Sequence, residues 1–533
     1  DVCSSDLEKT YTLTVFLMKD YVKYFENCIK KEAQVEFIEL KKDLDLDGKV
    51  VVSDCSVNKP KWTEIIEYFS DKDIEIDCNV SNKALLLLRI NGRIFALTFG
   101  YGCSFLIDEN IEKDFGLKTA LNLIDTNKIK SINSATIEDL VVYTQKQSGF
   151  ATEQSSFDIN TINDIMTSVT GTTKNDSLAI RISGKDSLLV TIKMSISELK
   201  EKLCCYLDAY KSNYYKKNGF DWIDNIREVR DKNLKENLEN ELIRLIKKKE
   251  LNNIYISPSE NIDWMDSIGF VLTGMNKKKD DSVSYEYEID IEKYISCFKE
   301  NCDYLSKLKR DKLKRIDLNE NEQELGSVYN SIIANIRFEN NAFVLNDGIW
   351  YKIDSSFYDS VIGFVSKIPK SSLNLPVCKD TKEGVYNSNL SKEKGFALVD
   401  KKLTSVEGGH KSIEPCDLFT KNKQFIHVKN RHASAQLSHL FAQGRVSAQC
   451  FIEDEKFRHQ LYEIVKKKLG NDIFDYKIKP NPQEYEVVYA IISKYNKPVE
   501  EDLPFFSLVN LMLAVKELNR MNIKSSVVMI KKE

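Results

Sequence analysis

All five histidines of the chain fall between His410 and His459. Imidazole titrates nearest neutrality and is the commonest metal-ligating side chain, so this stretch is the first place to look for chemistry. No three of the histidines have the spacing of a closed ligand set, however, and the cluster must be read together with its neighbours. From Leu418 to Ile452 no acidic residue occurs, whereas Lys421, Lys423, Lys429, Arg431 and Arg445 are basic. Such a segment suits a phosphate backbone. Just upstream, Glu414-Pro-Cys-Asp417 supplies carboxylates, giving the spacing Asp417-x9-His427-x-Lys429.

These residues need elements to hold them. Ile413 to Phe419 reads as a strand interrupted by Pro415, Thr420 to Lys423 as a polar turn, and Gln424 to Lys429 as a second strand. Alternation puts His427 and Lys429 on one face of that strand, with Ile426 and Val428 on the other. Phe396 to Val399 is a short strand, and a helix or turn covers Val385 to Lys392 with Glu383 near its start. A further helix is expected from Ser434 to Gly444, on which His439 and Gln443 share a face.

An acid at the end of one strand, a turn, a second strand ending in x-x-Lys and then a helix resembles the PD-(D/E)XK nuclease core. In that chemistry carboxylates hold a divalent cation against the scissile phosphate, and the lysine positions the attacking water and offsets developing charge. Asp417 resembles the central aspartate, Lys429 the lysine, and Glu383 the acid supplied by the first helix. His427 stands where the second acid usually stands, which departs from the pattern because Mg²⁺ prefers oxygen. The expected catalytic set is Asp417, His427, Lys429 and Glu383, with Asp417, His427 and Glu383 on Mg²⁺ or Mn²⁺. Glu414 is a further carboxylate whose direction Pro415 leaves open. His439, Gln443, Arg445 and Arg431 are expected to face nucleic acid.

The bulk composition sets bounds on this reading. A chain of 533 residues exceeds one hydrophobic core, and 9 prolines and 20 glycines leave little room for long linkers. We expect a multidomain α/β (α+β) protein with an N-terminal α/β domain over 1–145, a middle α+β domain over 146–325 and a C-terminal nuclease-like domain over 326–533. That last domain would be a restriction-endonuclease-like mixed sheet flanked by helices. With 77 basic and 81 acidic residues there is no global pull on nucleic acid or anionic membranes, so any attraction is local. The 12 cysteines show no CxxC or zinc spacing, which points to a reduced, cytoplasmic protein. No apolar run reaches the length of a membrane span, and the opening residues lead us to expect a strand rather than a leader.

Along the chain, Thr12 to Met18 reads as a strand and Asp20 to Lys31 as a helix. Ala84 to Ile90 and Arg93 to Phe99 pair across Asn91-Gly92, and Phe343 to Ile353 forms a second hairpin around Asp347-Gly348. Thr98 to Gly102 lacks the lysine of a phosphate loop, and Asp114-Phe-Gly lacks the other kinase signatures. Residues from about Phe150 to Gly184 should bridge to a second unit. Helices are expected from Ile196 to Tyr210, with Ser197 as N-cap, and from Lys232 to Lys249. The basic runs at Lys247 to Lys249, Lys277 to Lys279 and Lys307 to Arg315 read as solvated faces.

Several blocks, T-L-T-V-F-L-M-K near the start, Arg93 to Gly102, Asp114 to Asn122, Trp222 to Ile226, Phe425 to Lys429 and Leu437 to Gly444, resemble a sporadically distributed bacterial family of uncharacterised proteins. That resemblance implies a part in defence against phage or other foreign DNA. The leading expectation is a metal-dependent nuclease, or a nuclease-derived sensor, acting on nucleic acid, DNA before RNA. A homo-oligomer and a phage-derived trigger are further expectations. The alternatives are a metal-free ribonuclease using His427 and His439, and a non-catalytic protein that binds nucleic acid or a phage component.

Overall fold

Asn91 and Gly92, at φ +48° and +77°, reverse the chain between the strands Lys83–Ile90 and Arg93–Gly100, as their tolerance of positive φ predicts. Asp347 and Gly348 do the same between Asn341–Asn346 and Ile349–Ile353. The computed structural model describes residues 8–533 except 54–55, 59–62, 71–78, 138–140, 158, 163, 252, 257–266, 276–290, 300, 318–321, 381–382, 401, 403, 407–412, 432–433 and 496. The basic run Lys277 to Lys279, His410 and His432 therefore lie outside the described residues.

The chain divides into two compact units where three domains were expected: Asp1–Thr136, Tyr143–Asp224 and Arg230–Lys232 in one, Ile137–Val142, Asn225–Val229 and Asn233–Glu533 in the other. In the first unit, Lys9–Leu17 pairs antiparallel with Arg93–Gly100 on one side and Leu188–Met194 on the other. The expected N-terminal and middle domains thus share one ten-stranded sheet, and the boundary placed at 145 falls inside the strand Val141–Thr152. Thr170-Gly171-Thr172 lies within the strand Asp164–Thr173, so the segment expected to bridge is itself part of the sheet.

Helices Phe115–Leu123 and Leu199–Lys211 pack in the same core. Gly116 and Gly184 let the first of them touch the sheet, since a Cβ on Gly184 would lie 2.1 Å from the Gly116 carbonyl oxygen. Ser195, rather than Ser197, caps the approach to the second helix, in a capping box with Glu198. Of the helix expected over Asp20 to Lys31 only a 3₁₀ turn at Phe25–Cys28 forms. Its neighbours bond instead to another segment, Lys30 N–H to the Phe105 carbonyl and Ile107 N–H to the Cys28 carbonyl.

In the second unit, helix Lys232–Lys247 buries Leu238, Leu242 and Ile246. They pack in one core with Ile254, Ile332 and Leu345 of the five-stranded antiparallel sheet. The boundary expected at 325 falls inside the strand Glu322–Ser327.

The elements that carry the candidate site follow: α1 (Glu383–Leu390), β1 (Phe396–Leu398), β2 (Leu418–Thr420), β3 (Gln424–Asn430), α2 (Ser434–Glu453), β4 (Glu486–Ser493), α3 (Phe505–Arg520) and β5 (Lys524–Lys531). The sheet order is β1-β2-β3-β4-β5, antiparallel for the first two pairings and parallel for the last two. A mixed sheet flanked by helices was the expected architecture. β4 is a near-continuous apolar run because both its faces are covered. Ile426 and Val428 of β3 pack with Tyr386 and Leu390 of α1. On the other face Phe425 meets Phe451 of α2, and Tyr489 meets Phe441. α2 does not stop at Gly444; a Cβ there would lie 2.6 Å from the Tyr489 ring, so the glycine permits a helix–strand crossing.

Candidate active site

β2 is shorter than the alternation suggests, because Pro415 keeps the preceding residues out of the ladder and Ile413 only bridges to Thr404. Asp417 stands at this break, 7% exposed. Its N–H donates to the Ile426 carbonyl at 3.0 Å, and its own carbonyl accepts from Val399 and Asp400. The carboxylate then takes the place of a ladder carbonyl: Oδ2 accepts the Val428 N–H at 2.7 Å. Oδ1 accepts from Asn387 Nδ2 of α1 at 3.3 Å.

Around this fixed carboxylate other groups gather. Among the described residues, Asp400, Glu414 and Asp417 each bring a carboxylate oxygen within 4.8 Å of the others. Gln443 of α2 donates to Glu414 Oε2 at 3.0 Å. Glu383, at the first position of α1, accepts from Lys429 Nζ at 3.1 Å and from the Asn430 N–H at 3.2 Å. The start of α1, the start of β2 and the end of β3 thereby meet at one point.

Electrostatics follow from this crowding. Burial, followed by the charges of Glu383 and Glu414, pushes the Asp417 carboxyl well above the usual carboxylate range, and the Val428 N–H and Lys429 only partly oppose this. Burial works against the Lys429 ammonium, but Glu383 and Asp417 outweigh it and raise its pKa. The Lys429 ammonium is therefore held protonated beside these carboxyl groups. Hard oxygen donors in this number suit Mg²⁺ or Mn²⁺. Asn387 adds a further oxygen: its side chain is fully buried, and its Oδ1 has no partner among the described residues.

Of the residues singled out in the sequence, Glu383, Asp417, Lys429 and Gln443 come together. His427 does not join them. Its ring is sealed from solvent, neither nitrogen has a hydrogen-bond partner among the described residues, and Tyr489 lies 6.2 Å away between ring centroids. Burial lowers its pKa to about 3, which keeps it neutral. His439 is exposed on α2, its pKa lowered by partial desolvation and by the Lys429 charge.

One further expectation is corrected. Arg431, expected to face phosphate, is 3% exposed and paired with the buried Asp502 at 3.0 Å. Its guanidinium sits 4.6 Å from the Tyr255 ring and 4.3 Å from the Tyr495 ring. The Arg431 guanidinium already has a buried carboxylate and is closed to a ligand. Arg445 remains partly exposed on α2 and pairs with the equally exposed Glu517 of α3 at 2.7 Å. Sequence reasoning missed Asp400, whose only signal was an acid directly after the strand Phe396 to Val399. It also missed Asn387, a single amide in a short helix that carries no signal by itself.

An α+β chain of two units, with an acid–lysine site on its last mixed sheet, is the class the fold defines. The model of the family described as Family of unknown function (DUF6119) matches residues 13–531, and the chain belongs to that family. No curated protein and no solved structure matches it. No helix among the described residues is long and apolar enough to cross a membrane.

Proposed function

We propose that the chain is a divalent-metal-dependent nuclease of the PD-(D/E)XK type, acting on DNA before RNA. The observation that carries this reading is the meeting of Asp400, Glu414 and Asp417 beside the Lys429–Glu383 pair. The order α1-β1-β2-β3-α2, followed after a second helix, Glu455–Leu469, by β4 parallel to β3, supports it. Asp400, Glu414 and Asp417 are the proposed cation ligands, in place of His427. A bound cation would neutralise the scissile phosphate and make a water molecule more acidic. Asp417, held by Val428 and Asn387, provides a fixed oxygen; Gln443 steadies Glu414; Glu383 aims the Lys429 ammonium, which offsets charge developing on phosphate.

The metal-free ribonuclease has no observation in its favour, since it needs two imidazoles facing substrate and His427 has no exposed surface. The test is incubation of the full chain with plasmid DNA and with total RNA in Mg²⁺, Mn²⁺ or EDTA. Cleavage in Mg²⁺ or Mn²⁺, absent in EDTA and in Asp417→Asn, is the expected result. Undiminished cleavage by Asp417→Asn would overturn the proposal, and salt-dependent binding without turnover in any metal would make the chain a binding protein. The proposed part in defence predicts that the wild-type gene lowers phage plating and the Asp417→Asn gene does not.

A further inference from the structure

Beside the antiparallel sheet of the second unit lies a cavity of about 450 Å³, within the range of small-molecule sites. It contains none of the acidic-site residues. One of its walls is the strand Ile332–Phe338, where Asn335 and Arg337 occupy one face opposite Val344 and Ala342 of the neighbouring strand. The helix Ser355–Val365 contributes Tyr358.

Two groups in this cavity lack the partners such groups normally have. The side-chain oxygen of Asn335 is buried and has no hydrogen-bond partner among the described residues. A buried acceptor left unpaired is unfavourable unless something supplies a donor. Arg337 lies with its guanidinium carbon 5.3 Å from the Tyr358 ring centroid, exposed and without a carboxylate partner among the described residues. The other arginine of the cavity, Arg244, differs: Glu241 engages it at 2.7 and 2.8 Å, and Glu250 lies 3.8 Å away. That cluster holds its own counter-charges and leaves Arg337 as the cation available to an anion.

We propose that this cavity binds an adenine nucleotide. The exocyclic amine of adenine supplies the donor that Asn335 lacks, in the pairing that carboxamide side chains make with this base. Val344 and Ala342 give the base an apolar bed, and Arg337, held on the Tyr358 ring, receives the phosphate. Asn335 and Arg337 stand two residues apart on one strand, about 7 Å along its axis. A base edge and a phosphate of one mononucleotide can reach both. The site is independent of the proposed nuclease chemistry.

The test is calorimetric titration of the full chain with AMP, ATP, adenosine, UMP and inorganic phosphate. AMP and ATP should bind, with UMP and phosphate weaker by at least about tenfold. Arg337→Ala should weaken AMP by at least about tenfold while leaving adenosine nearly unchanged. Asn335→Leu should abolish binding and raise the Tm, because it removes the orphan oxygen without opening a cavity. Asp417→Asn should bind AMP as the wild type does, which separates this site from the acidic one. Absence of AMP binding, equal affinity for UMP or phosphate, or unchanged AMP affinity in both cavity variants would overturn the proposal.

Discussion

The Val428 N–H donates to Asp417 Oδ2 at 2.7 Å, so the ladder between β2 and β3 ends on a side-chain carboxylate instead of a backbone carbonyl. The bond fixes the carboxylate but does not offset its burial beside Glu383 and Glu414. Asp417 has a raised pKa in the fold and about 3.9 unfolded, so its contribution to stability is fully present below about pH 3.9 and is lost as pH rises through the raised value. Asp417→Asn should therefore raise the Tm at pH 7–8 without divalent cations, roughly the ordinary working pH range, and abolish cleavage. Asn387 can turn its unpartnered oxygen to the new amide. Calorimetric melting at several pH values checks this, and a lower Tm for the variant at neutral pH would count against it.

By the same linkage, Mg²⁺ or Mn²⁺ should stabilise the wild type, and more strongly as Asp417 ionises. Melting with and without the cation at acidic and mildly alkaline pH reads this out. The shift should shrink in Asp417→Asn.

Lys429 and Glu383 form a pair 3.1 Å apart, with Glu383 also holding the Asn430 N–H. Lys429→Ala should lower the cleavage rate by about 10²–10⁴-fold, the usual contribution of a positioned proton-transfer or charge-stabilising group. Glu383→Gln keeps the Asn430 contact and should lose less. Rates on plasmid DNA at saturating Mg²⁺, with circular dichroism to confirm folding, decide it.

His427 separates the sequence pattern from the tertiary arrangement. It is neutral in the fold, with a pKa of about 3 against 6.5 for the free ring. Stability is therefore lost as pH falls below about 6.5, by up to about 1.4 kcal/mol per pH unit until the folded value is reached. His427→Leu should remove that loss, melt higher at pH near 5, roughly midway through the window, and still cleave. A metal ligand at this position would lose cleavage instead.

Arg431 and Asp502 form a buried pair, 3.0 Å apart. Arg431→Met leaves the Asp502 carboxylate without its counter-charge and should destabilise the chain by about 3–5 kcal/mol. Arg431→Met combined with Asp502→Leu should recover much of the loss. Urea unfolding of the two variants measures both effects.

The sequence by itself determined the local pieces: the Asn91-Gly92 and Asp347-Gly348 hairpins, helix Lys232–Lys247, and the succession from α1 through β3 to α2. Turn dihedrals and side-chain periodicity are properties of neighbouring residues, so they can be read without the fold. It also marked Glu383, Asp417 and Lys429 as candidates, through the resemblance of that succession to the PD-(D/E)XK core. Domain borders were not legible, since strands far apart in sequence, Lys9–Leu17 and Leu188–Met194, pair in one sheet. Only the tertiary structure decided which polar groups share a site. Asp400 and Glu414 approach Asp417 through the break in β2, and His427 is sealed beneath α2. Arg431 has the composition of a phosphate contact, yet the buried Asp502 claims it. Charge in a sequence says what a residue can attract; only packing says which partner is within reach.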